Sequence, residues 1–154
     1  MKVLIVESNT HLSWIWQRHL DRLGMDVDAA TDADHAIDMI GDTAYDVVII
    51  DLVLQDGSAL GVADYTKVRR PNASVIFVTD TTFFSDGSLF AISPNARALI
   101  QSSSSPDDIG AIVEHYGTRA SGKSVHGIYR PEGSHQSRSG PVGMIRCGLI
   151  MSWL

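Results

Sequence analysis

The sequence of 154 residues predicts an α/β fold in which helices cover both faces of a doubly wound parallel sheet. Three short runs, residues 3–6, 47–50 and 75–78, are apolar at every position and rich in β-branched side chains. Continuous rather than alternating hydrophobicity is typical of strands that are buried on both faces. Each run is followed by a polar loop and a segment with helical periodicity, which is the alternation expected of repeated strand–helix units.

Weaker strand candidates at residues 27–30 and 98–100 bring the predicted strands to five. Five segments with helical signals alternate with them: 10–23, 33–40, a segment capped by Ser58 that runs to about residue 68, 81–92, and a segment that begins at Ser105. The Ser-Pro-Asp-Asp start of the last segment combines a cap, a proline and acids at the positive end of the helix dipole. The segment 81–92 contains Gly87 and many poor helix formers, so we expect this helix to be short or frayed.

The first helical segment carries an apolar stripe that includes Trp16 and Leu23, and Gly24 follows it as a stop signal. Trp14 lies two positions before Trp16 and therefore cannot share its face of the helix. We expect Trp16 in the core and Trp14 near the surface.

Charge is divided unevenly along the chain. Residues 1–116 carry 17 Asp and Glu against 7 Lys and Arg, whereas residues 117–154 carry one Glu against five Lys and Arg. The first part therefore has a net charge of −10 and the second a net charge of +4. Because phosphate backbones attract basic faces, no specific nucleic-acid partner is expected, and only the basic tail could contribute such contacts.

The composition predicts one domain followed by a tail. Residues 1–116 form the predicted domain, and residues 117–154 hold 7 of the 13 glycines with many serines, as in a flexible basic extension. The alternative is that the tail is an artefact of the reading frame. The single cysteine, Cys147, excludes a disulfide within the chain and favours a cytoplasmic location. Apolar runs are too short for a bilayer, so no membrane partner is expected.

Polar residues follow the predicted strands at the edge where doubly wound sheets bind their ligands. They are Glu7 and Ser8 after the first strand, Asp51 closing the third, Thr79 and Asp80 after the fourth, and Gln101 and Ser102 after the fifth. A carboxylate that ends a fully apolar strand is costly to bury without a cation or a hydrogen-bond network. Asp51 is therefore the strongest candidate for a functional group, the alternative being a strand-end carboxylate that only caps loop amides.

Four blocks resemble, in order and in spacing, those of response-regulator receiver domains: residues 4–9, 48–58, 75–79 and the stretch from Asn95 to Asp108. The resemblance spans residues 2–116 and implies a flavodoxin-like (βα)5 fold with strand order 2-1-3-4-5. It also implies that Asp51 accepts a phosphoryl group from a histidine kinase or a phosphotransfer protein. In such a reaction a carboxylate oxygen attacks in line while Mg²⁺ neutralises charge on the transferred group.

The resemblance assigns an Mg²⁺ site to Glu7, the residue at position 8, Asp51 and the backbone carbonyl of Val53. The family usually has a second acid at position 8, and the neutral Ser8 is a weak substitute for it on a hard cation. Thr79 matches the hydroxyl residue that hydrogen-bonds the phosphoryl group in this family.

Three further positions depart from the family pattern. Ser102 stands where the family has a lysine that pairs with the phosphoryl oxygens, and Arg97 is a remote substitute for that lysine. Leu99 replaces the switch aromatic of the fifth strand. Asp80 occupies the place of a small residue, where its charge would repel a phosphoryl group unless it binds the metal.

The resemblance implies a stand-alone signalling receiver with no enzymatic activity beyond its own phosphorylation and dephosphorylation. It would contact a downstream protein, or a second copy in a homodimer, through helix 4, strand 5 and helix 5. Two mechanisms stay open: phosphorylation at Asp51 that shifts a two-state surface, or phosphorylation-independent binding by an atypical receiver or scaffold. A flavodoxin-like small-molecule-binding protein and an aspartyl phosphatase are lesser alternatives. The first lacks a phosphate loop after strand 1, and the second lacks an acid at Val53.

Overall fold

The computed structural model describes residues 1–81 and 88–120. Strands and helices alternate along the chain in the order β1 (Lys2–Val6), α1 (Thr10–Arg22), β2 (Asp26–Ala30), α2 (Ala33–Asp42), β3 (Val47–Asp51), α3 (Ala59–Arg69), β4 (Ser74–Thr79), α4 (Ser88–Ile92), β5 (Ala96–Gln101) and α5 (Pro106–Ala120). None of these helices is long and apolar enough to cross a lipid bilayer.

The five strands form one all-parallel sheet with the order β2-β1-β3-β4-β5. This arrangement confirms the predicted flavodoxin-like doubly wound fold. The chain winds from β1 outward to β2, and then from β3 outward through β4 to β5. Because the loops after β1 and β3 therefore diverge to opposite faces of the sheet, a crevice opens between them at the carboxyl ends of the strands.

Between their polar end residues the central strands are apolar, over residues 3–6, 47–50 and 75–78, because both faces of the sheet are buried. On one face Leu4, Val48 and Phe77 join a core cluster with residues of α2 and α3. On the other face Ile5 and Ile49 join a second cluster with residues of α1 and α5. Successive residues of one strand thus enter different cores, which leaves no position for a polar side chain until the strand ends.

Side-chain caps start the helices at the carboxyl end of the sheet. The side chains of Asn9, Asp32 and Ser58 accept backbone N–H groups in the first turns of α1, α2 and α3, respectively. The hydroxyl of Ser105 accepts the N–H of Asp108 at 3.1 Å at the start of α5. These bonds satisfy helix N–H groups that have no partner within the helix, and they confirm the cap predicted for Ser58.

The structure also differs from the sequence pattern at several places. Trp16 is buried and Trp14 is 52% exposed, as predicted, but Leu23 is 48% exposed rather than part of the buried stripe. The reason is that α1 ends at Arg22, so Leu23 lies at the cap before Gly24, which has a φ of 82°. Helix α5 continues to Ala120, four residues beyond the predicted domain. The tail is predicted to be flexible, but from residue 121 onward it lies outside the described part of the chain. Residues 82–87 of the fourth predicted helix also lie outside it.

Two valines of α3 provide a test of this packing. Val62 is fully buried in the cluster beneath α2 and α3, whereas Val68 is 82% exposed. We expect Val62→Ala to lower the free energy of unfolding by about 2 kcal/mol, because two methyl groups leave a close-packed site. Val68→Ala removes the same atoms from the same helix and should change stability by less than about 0.5 kcal/mol. Urea denaturation of both variants measures the difference, and equal effects would show that α3 does not pack as described.

Candidate functional site

The loops at the carboxyl end of the sheet surround an open cleft of about 250 Å³. The cleft is lined by Glu7, Ser8, Asn9, Leu12, Asp51, Val53, Gln55, Asp80 and Ser102. Six of the residues singled out in the sequence are thus brought together. Thr79, Leu99 and Gln101, which the sequence also placed at this edge, are not among the lining residues.

Glu7 is a buried carboxyl group, with only 3% of the residue exposed. It follows β1 directly, and its Oε1 accepts the backbone N–H of Asn9 at 2.8 Å. The pKa of Glu7 is raised from 4.5 to about 7, chiefly by burial and in part by the negative charge of Asp51, while the hydrogen bond from Asn9 acts in the opposite direction. Near neutral pH, Glu7 therefore exists in both protonation states.

Asp51 is half-buried at the end of β3, between β1 and β4. Its Oδ1 accepts the backbone N–H of Val53 at 3.0 Å, so the side chain caps an amide of the loop that follows β3. Burial raises the pKa of Asp51, and repulsion from Asp80 adds to this, while a hydrogen bond from the protonated Glu7 opposes the shift. The carboxyl groups of Glu7 and Asp51 thus lie close enough for each to influence the pKa of the other.

The cleft has acids and no basic side chain. Glu7, Asp51 and Asp80 line it, and no lysine or arginine of the described ranges does. Carboxylates that line one cleft without a basic partner repel each other, and a bound cation or a proton relieves that repulsion. The site is therefore built to attract positive charge.

Oxygen atoms of the kind that Mg²⁺ prefers are available here. The predicted ligands, the carboxyl oxygens of Glu7 and Asp51 and the backbone carbonyl of Val53, are hard oxygen donors and belong to residues that line the cleft. Within residues 1–81 and 88–120, no three side chains of His, Cys, Asp or Glu are grouped so that they could hold a metal by themselves. The residues present therefore fit a cation that retains water ligands, as Mg²⁺ usually does.

Ser8 has a role that the sequence did not reveal. Its hydroxyl donates to the carbonyl of Thr31 at 3.1 Å and accepts the backbone N–H of Gln55 at 3.0 Å. The loops after β1, β2 and β3 are thereby joined through one atom. A hydroxyl group has one donor and two acceptor sites, so a single lone pair of Ser8 is left for a ligand.

Thr79 is buried at the end of β4 and bonds within its own loop. Its hydroxyl accepts the N–H of Thr81 at 3.1 Å and lies 3.1 Å from the hydroxyl of Thr81, while its carbonyl accepts the N–H of Ser102 at 2.9 Å. Ser102 therefore follows β5 and lies beside Thr79. Leu99 packs against the core cluster beneath α2 and α3.

Arg97 is not a substitute for the missing lysine. It is the second residue of β5 and lines a different cleft, at the amino end of the sheet. The prediction considered Arg97 because it is close to Ser102 in sequence. Closeness in sequence does not show which end of a strand a residue occupies.

Comparison with known proteins agrees with this geometry. The family model of the response regulator receiver domain matches residues 3–114, and the chain therefore belongs to the receiver family of two-component signalling. No curated protein sequence matches the chain significantly.

Solved structures share the fold at low sequence identity. A CheY-like receiver domain protein from Methanospirillum hungatei has a TM-score of 0.71 and 21% identity, covering 78% of this chain and 95% of that one. The response regulator TrrA from Thermotoga maritima, in complex with Mg²⁺-BeF, has a TM-score of 0.66 and 22% identity over 75% and 97% of the two chains. A response regulator from Burkholderia pseudomallei with a phosphorylated aspartic acid and a calcium ion has a TM-score of 0.67 and 18% identity over 80% and 72%.

The pKa of Glu7 gives a pH-dependent prediction. Between pH 4.5 and 7 the folded protein retains a proton that the unfolded chain releases, so this group makes stability fall as pH rises through that window. Glu7→Gln keeps the acceptor for Asn9 and removes the charge. We expect the variant to be more stable than the wild type by about 1 to 3 kcal/mol at about pH 8 and nearly equal to it at about pH 5.

Urea denaturation at both pH values, without divalent cations, measures this difference. Glu114→Gln makes the same change at an exposed position of α5 and should show no such dependence on pH. A stability difference between Glu7→Gln and wild type that is the same at both pH values would contradict the assignment.

Proposed function

We propose that this receiver domain accepts a phosphoryl group at Asp51 with the help of a divalent cation, Mg²⁺ by its oxygen chemistry. The observation that carries the proposal is that the half-buried Asp51 lies beside the buried Glu7 in an open cleft whose charged lining residues, within the described ranges, are all acids. Two adjacent carboxyl groups at the ends of apolar strands destabilise the fold unless the site has a use for them.

In the proposed reaction a carboxylate oxygen of Asp51 attacks the phosphorus atom of a phosphohistidine on a histidine kinase or a phosphotransfer protein. The bond from phosphorus to nitrogen breaks, the histidine leaves, and an acyl phosphate forms on Asp51. The hydrogen bond from Val53 orients the carboxylate for this attack. Bound Mg²⁺, held by Glu7, Asp51 and the Val53 carbonyl, supplies charge neutralisation for the phosphoryl oxygens.

By the family resemblance, Thr79 and Ser102 are the groups that would bind the phosphoryl oxygens through hydroxyl hydrogen bonds. Thr79 would exchange its present bond to Thr81 for one to the new group. Ser102 lines the cleft but is neutral, so it stabilises the added negative charge less than a lysine would. Asp80 acts against phosphorylation by repulsion. We therefore infer that phosphorylation of Asp51 is slow, or that the phosphorylated form is only weakly populated.

The structural neighbours support the proposal by analogy. The Burkholderia protein has a phosphorylated aspartic acid with a calcium ion, and the Thermotoga protein is in complex with Mg²⁺-BeF. At 18% and 22% identity these resemblances concern the fold, and the transfer of chemistry to Asp51 is our inference.

The second candidate function is that of a phosphorylation-independent binding module. It is favoured by Ser102 in place of the lysine and by Leu99, which packs in the core cluster where the family has a switch aromatic. In either mechanism we infer that a downstream protein, or a second copy of the chain, binds to α4, β5 and α5. Phe90 and Ile92 of α4 are 40% and 60% exposed and provide apolar contact area on this surface.

Phosphorylation distinguishes the two candidates directly. Incubation of the full chain with a small phosphoryl donor and Mg²⁺ should add about 80 Da, the mass of one phosphoryl group, as read by intact mass spectrometry. Asp51→Asn should abolish the adduct, whereas Asp56→Asn, an exposed acid of the same loop, should leave it intact. A natively folded wild type that gains no mass with donor and Mg²⁺ would exclude the first candidate and favour the second.

The positive charge of the family's lysine can be restored at position 102. We expect Ser102→Lys to raise the phosphorylated fraction at a fixed early time by about tenfold, because an ammonium group would face the phosphoryl oxygens. Ser103→Lys adds the same charge at the next, exposed position and should have little effect. Equal rates in the two variants would show that Ser102 does not occupy the lysine position functionally.

A further inference from the structure

The amino end of the sheet, opposite the acidic cleft, carries a cluster of arginines. A cleft of about 320 Å³ on this side is lined by Arg97 and Arg119, with Asn72, Ser74, Tyr116, Pro71 and Ala120. An adjoining cleft of about 280 Å³ shares three of these residues and adds Arg69 and Arg70. We call the surface formed by Arg69, Arg97 and Arg119 the amino-end arginine face.

These arginines are left without carboxylate partners. The side chains of Arg69, Arg97 and Arg119 are exposed and form no ion pair or hydrogen bond with any residue in 1–81 or 88–120. Arg70 differs, because its guanidinium caps α2 by donating to the carbonyls of Ile40 and Gly41. The domain has 17 acids among its first 116 residues, yet these three neighbouring arginines are unpaired within the described ranges. They therefore indicate a surface that can bind an anion from outside the domain.

The acidic residues of the domain interfere little with such a ligand. Strands β4 and β5 have six residues each and separate the two ends of the sheet by about 20 Å. This distance exceeds the screening length of about 8 Å at physiological salt, so the charges of the acidic cleft are largely screened at the arginines. No acid lines the cleft of Arg97 and Arg119; Asp46, which lines the adjoining one, accepts the backbone N–H of Lys2.

The lining and the sequence that follows favour a polyanion over a single small anion. Tyr116 lines the cleft beside Arg119, and His115 lies against it edge to face, with 4.9 Å between the ring centres. Tyr116 is partly buried against the core cluster that includes residues of α1 and α5, so the phosphates of a ligand rather than its bases would meet this surface. The three arginines are spread over two adjoining clefts, and a ligand with several phosphates can reach more of them than one small anion can. The chain leaves this face at Ala120, and residues 121–154 add four Lys and Arg against one Glu.

We propose that the amino-end arginine face binds the phosphate backbone of a nucleic acid, with Arg97 and Arg119 contacting phosphates. The binding is independent of sequence, since these side chains meet the backbone rather than base edges. It is also separate from phosphoryl acceptance at Asp51, which lies at the other end of the sheet. The overall charge of the domain conceals this surface because acids elsewhere outnumber the arginines.

Fluorescence polarisation with a labelled single-stranded oligonucleotide of about 20 nucleotides tests the proposal on the full chain. Over about 0.1 to 0.2 M salt, where the acidic cleft is screened from the arginines, we expect Arg97→Gln/Arg119→Gln to weaken binding by about fivefold or more, and to reduce the slope of log affinity against log salt by about 1.4, or about 0.7 per lost phosphate contact. Both side chains are exposed and unpaired in the described residues, so circular dichroism should show an unchanged fold.

Arg18→Gln/Arg22→Gln provides a control with the same change in charge. These two exposed arginines of α1 line neither amino-end cleft, and their loss should leave the salt slope unchanged. Absence of binding by the wild type at low salt, or equal losses in the two double variants, would overturn the proposal. It would also be overturned if inorganic phosphate at millimolar concentration displaced the oligonucleotide completely, since that would identify a site for a small anion.

Discussion

The proximity of two carboxyl groups, Glu7 and Asp51, is the constraint on which the rest of the site depends. Parallel strands buried on both faces accept apolar side chains throughout, and their carboxyl ends meet at one edge. When β1 and β3 both end in acids, these acids are forced together in a partly desolvated place. Their raised pKa values follow from this arrangement, as does the preference of the cleft for cations.

The same constraint explains why the replaced residues matter. A receiver with a lysine in the cleft has an internal positive charge to balance a phosphoryl group. In this chain Ser102 supplies only a neutral hydroxyl and Asp80 adds another negative charge, so an external cation must provide most of the balance. Chemistry at Asp51 should therefore depend on the concentration of the divalent cation more strongly than it would with a lysine present.

Much of the fold was predictable because the physical signal was local. Strands β1, β3 and β4 occupy the middle of the sheet and each contains four consecutive apolar residues, whereas the edge strands β2 and β5 gave weaker signals since each has exposed positions. The site residues were predictable as a group because strand ends converge. The bonds of Ser8 were not, since Thr31 and Gln55 are 23 and 47 residues away and no local pattern marks them. Likewise, the position of Arg97 required knowledge of where β5 begins.

The bonds of Ser8 have a consequence for how the site can respond to a ligand. They couple the loops after β1, β2 and β3 into one unit, so a displacement of any of the three would disturb the other two. In the part of the chain that the structure describes, the hydroxyl of Thr79 bonds to Thr81, two residues further along the same loop. Ser8 thus holds three loops together, whereas the hydroxyl of Thr79 bonds within its own loop. Under the phosphorylation that we propose at Asp51, Thr79 is therefore the group that can exchange its hydroxyl bonds without disturbing those three loops.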